Sequence, residues 1–365
     1  MNLFTDIDIL DGHVHCYRRH DLARMVADVH YTGARQFCAL VTERMGGISS
    51  AEQWNNAMLL KRMYPNDAFV FGGLDIQAIV EDGRSQPDVP FARQLLDLMA
   101  AGCDGLKLLI GKPDRRKAIR FPLDSPLLEP LLSLAEQTGF AVLWHVGDPP
   151  EFWSEQTVPR WARQRGWWYD DSHPSKRQLE AEIARVFERH PTLNLILPHF
   201  FFLSDRLDDA AALLERYPTY ALDLAPGVEL YHNLTARHAA ARAFFIRYAD
   251  RIIFGSDFGL PCGWSRDRGM MIRRFLETDN TFPVPDDPAM QPDDRPPLRG
   301  LALPRDVLVQ IYGANFRRRV GVNPRPLAVA ASAEGIDGQV NESPANEELR
   351  RTQRGAAAGK TFDRG

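Results

Sequence analysis

Two histidines one residue apart, His13 and His15 in Asp-Gly-His-Val-His, follow the first apolar run of the chain, Ile7-Asp8-Ile9-Leu10. Residues two apart on a strand project to the same face, so both imidazoles can reach one point in space. Neutral imidazole is the commonest side-chain metal ligand, and a His-X-His at a strand end chelates with little backbone adjustment. Taken alone, the pair reads equally well as two packed histidines. Later apolar runs, however, also end in residues suited to ligation or acid–base work. Lys107 lies in Gly-Leu-Lys-Leu-Leu, His145 follows Ala-Val-Leu-Trp, His199 follows Leu-Ile-Leu-Pro, and Asp257 follows Ile-Ile-Phe-Gly-Ser. Such groups, one or two per strand in the same register, point to one shared site.

Other polar residues are weaker candidates. Glu43, Asp75 and Asp223, at or near strand ends, are as readily structural as functional. Arg18, Arg19 and Lys112 fall on strand-to-helix connections, where they are placed to bind a substrate carboxylate or simply to be solvated. Cys16, beside the histidine pair, reads as packing.

These residues need a scaffold that brings strand ends together. Strand-like runs cover Ile7–His13, Gln36–Thr42, Phe69–Leu74, Gly105–Ile110, Ala141–His145, Leu193–Pro198, Tyr220–Leu224 and Ile252–Gly255. Between them lie amphipathic helical patterns over Asp21–Thr32, Ala51–Met63, Phe91–Ala101, Leu127–Thr138, Lys176–Arg189 and Leu207–Arg216. Strand plus helix repeated eight times is the count that closes a (β/α)8, or TIM, barrel. An open doubly wound sheet is disfavoured, because no Gly-x-Gly-x-x-Gly follows an early strand. Each candidate residue then falls at the C-terminal end of its strand, where barrel enzymes do their chemistry.

Two segments break the pattern. Residues 146–174 form a long connection after the fifth strand, with Trp153, Trp161, Trp167, Trp168 and Tyr169. A connection of that length on this side of a barrel suggests a pocket wall, with Trp153 as a substrate contact, or a hydrophobic cluster on the rim. Residues 281–304 are rich in Pro and Asp and read as an irregular insertion before a last helix, Arg305–Arg319. The expected division is a barrel over residues 1–322 and a disordered tail over 323–365, where periodicity stops.

Composition narrows the function classes. The 365 residues, 44% of them hydrophobic, supply one large core, and the net charge of −4 gives no basic surface for nucleic acid. No apolar stretch is long enough to span a membrane, and the opening residues lack the pattern of a secretory signal. Four cysteines without CxxC spacing suit reduced thiols in a cytoplasmic protein. The expected partner is a small-molecule substrate, and a homo-oligomer is compatible with this composition.

The strings Asp11-Gly12-His13-Val14-His15, His145-Val146-Gly147-Asp148-Pro149, Phe254-Gly255-Ser256-Asp257 and Tyr312-Gly313-Ala314-Asn315 together resemble the amidohydrolase superfamily. The likeness is to its amidohydrolase-related branch of metal-dependent barrel hydrolases and decarboxylases, and covers roughly residues 5–320. Lys112-Pro113-Asp114 and the run Phe200 to Asp205 set the chain apart within that branch. The resemblance implies that His13, His15, His145 and Asp257 hold one divalent metal, Zn²⁺ or alternatively Mn²⁺. It further implies that Asp257 takes the proton of an activated water and that His199 orients or protonates the substrate. Lys107 would be a pocket residue; in binuclear relatives a carboxylated lysine at this place bridges a second metal. Three functions follow. One is hydrolysis of a C–O or C–N bond in a small carboxylated molecule, and another is non-oxidative decarboxylation of an unsaturated or aromatic acid. The third is a barrel without catalysis, disfavoured by the cost of an unused buried cluster.

Overall fold

The computed structural model describes residues 3–43, 47–227, 229–288, 290 and 296–328. Eight parallel strands pair in sequence order: β1 (Ile9–His15), β2 (Ala34–Leu40), β3 (Ala68–Gly73), β4 (Gly105–Gly111), β5 (Ala141–Val146), β6 (Leu195–Leu197), β7 (Ala221–Asp223) and β8 (Ile252–Ile253). Helices cover the outside, as the alternating pattern requires. The expected TIM barrel is the architecture found. Side chains alternate in two layers along each strand. On β2, Cys38 and Leu40 join Phe69, Phe71, Leu143 and Ile196 in an inner cluster, while Phe37 and Ala39 pack outward against helices.

The seam between the first and last strands is closed by the segment after β8. Gly12 N–H donates to Phe254 O at 2.9 Å, His15 N–H to Phe258 O at 2.7 Å, and Asp257 N–H to His13 O at 2.8 Å. Gly12 allows this approach, since a Cβ there would lie 2.8 Å from Ile253 Cγ2. Asp11 fastens the seam from inside, its Oδ1 accepting the Ser256 N–H at 3.0 Å and the His13 N–H at 3.2 Å.

Boundaries differ from the sequence reading in instructive ways. β1 runs to His15, two residues past the expected end at His13, so His15 too stands on the strand. The last three barrel strands are only two or three residues long. The expected helix Arg305–Arg319 is interrupted by a π turn over Gln310–Ala314. The Pro/Asp-rich stretch carries a small antiparallel ladder of Thr281–Phe282 with Leu298–Arg299. Past Val322 the chain is still seated, Arg325 N–H donating to the buried Asp104 at 2.6 Å; the rest of the expected tail, 329–365, lies outside the described residues. Cys16, Cys38 and Cys103 are buried free thiols and Cys262 is half-buried. Among the described residues no helix is long and apolar enough to cross a membrane.

Candidate active site

At the C-terminal end of the barrel, His13, His15 and Asp257 offer ligand atoms that all lie within 4.8 Å of one another. Alternation along β1 puts the two imidazoles on one face. Asp257 Oδ1 lies 3.0 Å from His15 Nε2 and 3.3 Å from His13 Nε2. Asp257 has φ +61°, a left-handed conformation that an aspartate tolerates better than most residues. The seam bond to His13 O holds it there. Arg268 Nη1 also donates to its carbonyl at 3.0 Å, and Arg268 is itself paired with the buried Asp287.

Each histidine is oriented by a partner. His13 Nδ1 donates to Asp223 Oδ2 at 2.7 Å, which turns Nε2 toward the site. Asp223 Oδ1 accepts the His199 and Ala225 backbone N–H groups, at 2.9 and 3.0 Å. His199 Nδ1 donates to Ala225 O at 3.1 Å, leaving Nε2 as its free nitrogen. His145 donates from Nε2 to Gly147 O at 2.9 Å and stands apart from the three-residue group, its ring 4.9 Å from that of His199.

His199 begins a left-handed turn. Residues His199, Phe200, Phe201 and Phe202 all have φ between +53° and +57°. Each L-residue in that conformation costs about 1–2 kcal/mol, so the turn persists only where its surroundings over-determine it. They do: Phe201 N–H bonds Pro198 O, Leu203 N–H bonds Phe200 O, and Phe202 stacks on His199 with centroids 5.4 Å apart.

Burial and charge set the protonation states. Burial pushes His15 and His145 down to about 4 and His199 to about 3, so these rings are neutral at neutral pH. Burial opposes charge on His13 too, but the Asp223 carboxylate beside it raises it overall. Asp257 is held well below the usual carboxylate range: burial would raise it, and the His13 and His15 contacts outweigh that. Burial lowers Lys107 to about 8.

The donor set fits a divalent cation. Among the described residues, His13 Nε2 and Asp257 Oδ1 are buried without a hydrogen bond of proper geometry, and His15 Nε2 lies 3.0 Å from the same oxygen. Neutral imidazole nitrogens facing an ionised carboxylate are what an N/O-liganded cation takes. The surrounding cavity, about 660 Å³ of empty space with its mouth, has Lys107, His145 and His199 on its polar side; Phe152, Trp161 and Trp167 form part of its apolar wall.

A sequence model of the amidohydrolase family matches residues 50–322. The chain belongs to this family. No curated protein sequence matches it significantly. Among solved structures, an uncharacterized TIM-barrel protein from Bordetella bronchiseptica shares 14% identity over 86% of this chain and 98% of its own, with a TM-score of 0.52. A 2,6-dihydroxybenzoate decarboxylase in complex with 2,6-dihydroxybenzoate shares 13% identity over 86% and 99%, with a TM-score of 0.50. At such identities the likeness concerns the fold.

In this amidohydrolase the cavity gathers His13, His15, Lys107, Lys112, His145, His199 and Asp257, all named from sequence. Two expected substrate contacts are placed differently. Arg18 is half-buried outside the cavity lining. Trp153 faces away from it, its Nε1–H bonded to Pro174 O at 3.0 Å and its ring packed on Tyr169. Lys112 lines the cavity but is tied to the buried Asp148, 4.4 Å above the Trp167 ring. Asp148 also accepts the Tyr169 hydroxyl, which fastens the Trp-rich connection to the barrel. Sequence reading missed Asp148, Arg268 and Asp287 as supports. Asp148 stood in a quoted motif, whereas nothing in the spacing pairs Arg268 with Asp287.

Proposed function

We propose that this amidohydrolase hydrolyses a C–O or C–N bond in a small carboxylated molecule with an apolar or aromatic body. The observation that carries the reading is Asp257, a buried carboxylate held ionised against two imidazole nitrogens at the floor of a half-apolar cavity. His13, His15 and Asp257 would hold one divalent metal, with His145 as a further donor; Zn²⁺ suits this N/O set and Mn²⁺ is the alternative. Bound there, the cation supplies Lewis acidity and brings the pKa of a neighbouring water toward neutrality.

The chain's own groups do the rest. The Asp257 carboxylate, ionised at neutral pH, takes the proton of the attacking water. His199 Nε2, freed by the Nδ1–Ala225 bond, orients the reacting oxygen of the substrate and carries a proton to the leaving group. Lys107 Nζ, which makes no hydrogen bond among the described residues, is available to a substrate carboxylate. Phe152, Trp161 and Trp167 exclude water around the apolar body. Decarboxylation of an aromatic acid is the second reading, favoured by the aromatic wall facing an unpaired amine. The same Lys107 would then hold the departing carboxylate.

A screen of metal-analysed protein against lactones, amides and aromatic acids, following acid release and CO₂ separately, decides between them. Asp257→Asn should lower turnover by about 10²-fold or more, with a smaller loss of metal. His199→Asn should cost turnover and keep the metal. If it instead removes one of two bound ions, the site is binuclear with carboxylated Lys107, and the role given to His199 is wrong.

A further inference from the structure

Beside the ligand cluster stands a cation that the chemistry above does not use. Arg268, on the helix Asp267–Glu277 that follows the Asp257 loop, is fully buried. Its Nη1 lies 3.8 Å from Asp257 Oδ2, too long for a hydrogen bond but within reach of an ion pair. The other oxygen of that carboxylate, Oδ1, faces His13 and His15. A guanidinium does not lose its proton in a protein, so a buried one must find an anion.

Two buried carboxylates compete for it. Asp287 takes the fork, accepting from Nε at 2.9 Å on Oδ2 and from Nη2 on Oδ1. Asp257 receives only the Nη1 bond, and on its backbone carbonyl rather than its carboxylate. Asp287 is fixed without Arg268: its Oδ2 also accepts the Ser265 N–H at 2.7 Å, and its carbonyl accepts the Met290 N–H at 3.0 Å. Asp257 is fixed by the seam bond to His13. The long arginine side chain is therefore the member free to change partner.

We propose that Asp287 is a decoy anion, which keeps the Arg268 charge off the Asp257 carboxylate so that this carboxylate stays available to a divalent cation. The proposal rests on the reading that His13, His15 and Asp257 hold that cation. Without the Asp287 charge, the buried guanidinium closes the 3.8 Å gap. Two-pronged pairing of Arg with a carboxylate is among the strong charge-assisted contacts. It would occupy the carboxylate and set a second positive charge beside the metal position. On this account the irregular stretch that carries Asp287 protects the ligand set as well as bracing it.

Competition between Zn²⁺ binding and a chelator, on the full chain, tests the proposal. Asp287→Asn should lower Zn²⁺ affinity by about 10- to 100-fold, the scale of losing an outer partner of a ligand. The double variant Arg268→Met/Asp287→Leu replaces the pair by apolar side chains, a change that buried ion pairs often tolerate. It should bind within about threefold of the parent protein. A merely structural role predicts the reverse order, since the double variant also loses the bond to the Asp257 carbonyl. A double variant as impaired as Asp287→Asn, or Asp287→Asn with parental affinity, overturns the proposal. Should Asp287→Asn fail to fold, a folded double variant with near-parental affinity shows that the released charge does the damage; a tenfold loss there refutes it. Parent protein that binds neither Zn²⁺ nor Mn²⁺ refutes the metal reading instead. A crystal structure of metal-free Asp287→Asn decides the arginine's move even then. Arg268 should lie within hydrogen-bond distance of an Asp257 carboxylate oxygen, and an arginine still on the side chain at position 287 overturns the proposal.

Discussion

Asp257 donates its backbone N–H to the carbonyl of His13 at 2.8 Å while its carboxylate lies 3.3 Å from Nε2 of the same residue. One residue pair therefore both helps to close the barrel seam and forms the centre of the ligand cluster. The arrangement needs a left-handed aspartate, and Arg268 supplies the third hold on it.

Replacing His13 and His15 together by Ala should abolish retention of the divalent metal while the barrel still folds. Elemental analysis after gentle purification measures this. Full occupancy in the double variant would place the metal elsewhere.

Asp223 does not belong to the cluster but sets the tautomer and aim of His13. Asp223→Asn should weaken metal binding by about 10- to 100-fold, the usual scale for losing an orienting partner. A competitive chelator titration reads it, and unchanged affinity would mean that β1 alone fixes the ring.

The Trp-rich connection carries a prediction in the kinetics. Trp167 lines the cavity and lies under the Lys112 ammonium. Trp167→Ala should raise KM about tenfold with kcat within about twofold, the pattern of lost uniform binding. A fall in melting temperature with an unchanged kcat/KM would show instead that the connection only packs.

The neutral buried histidines make stability pH-dependent. His15 and His145 titrate near 4 and His199 near 3 in the fold, against 6.5 ordinarily. Between those values the unfolded chain binds protons that the folded one does not. Stability should therefore be full above about pH 6.5 and fall steadily as pH drops toward 4. His13, raised rather than lowered, has the opposite sign and offsets only part of this. Urea midpoints of metal-free protein at pH 7 and pH 5 test it; equal midpoints would mean the rings are solvated.

The barrel and the strand-end residues were legible because both are periodic. A two-residue period puts His13 and His15 on one face, and eight repeats of strand and helix bring Lys107, His145, His199 and Asp257 to one end. What was not legible depends on contacts between remote residues. Asp287 lies in a stretch that reads only as irregular, yet it fixes Arg268 and through it Asp257. Trp153 seemed as good a wall residue as Trp161 or Trp167; a hydrogen bond to Pro174 turns it outward, and no local pattern encodes that. Glu43 was seen at a strand end, but its bond to the Leu109 N–H depends on how β2 and β4 sit around β3.

The left-handed turn at His199 gives three identical neighbours three unlike destinations. Phe200 goes to the outer helical layer, against Phe244 and Phe245; Phe201 meets Phe187; Phe202 returns to cover His199 and His145. In a strand the first and third would share a side, and in a right-handed helix all three would fan out in the opposite rotational sense. The triplet is therefore not redundant. Deleting any one phenylalanine leaves a sequence that looks almost unchanged, yet it shifts each remaining ring into a neighbour's berth and uncovers the two imidazoles.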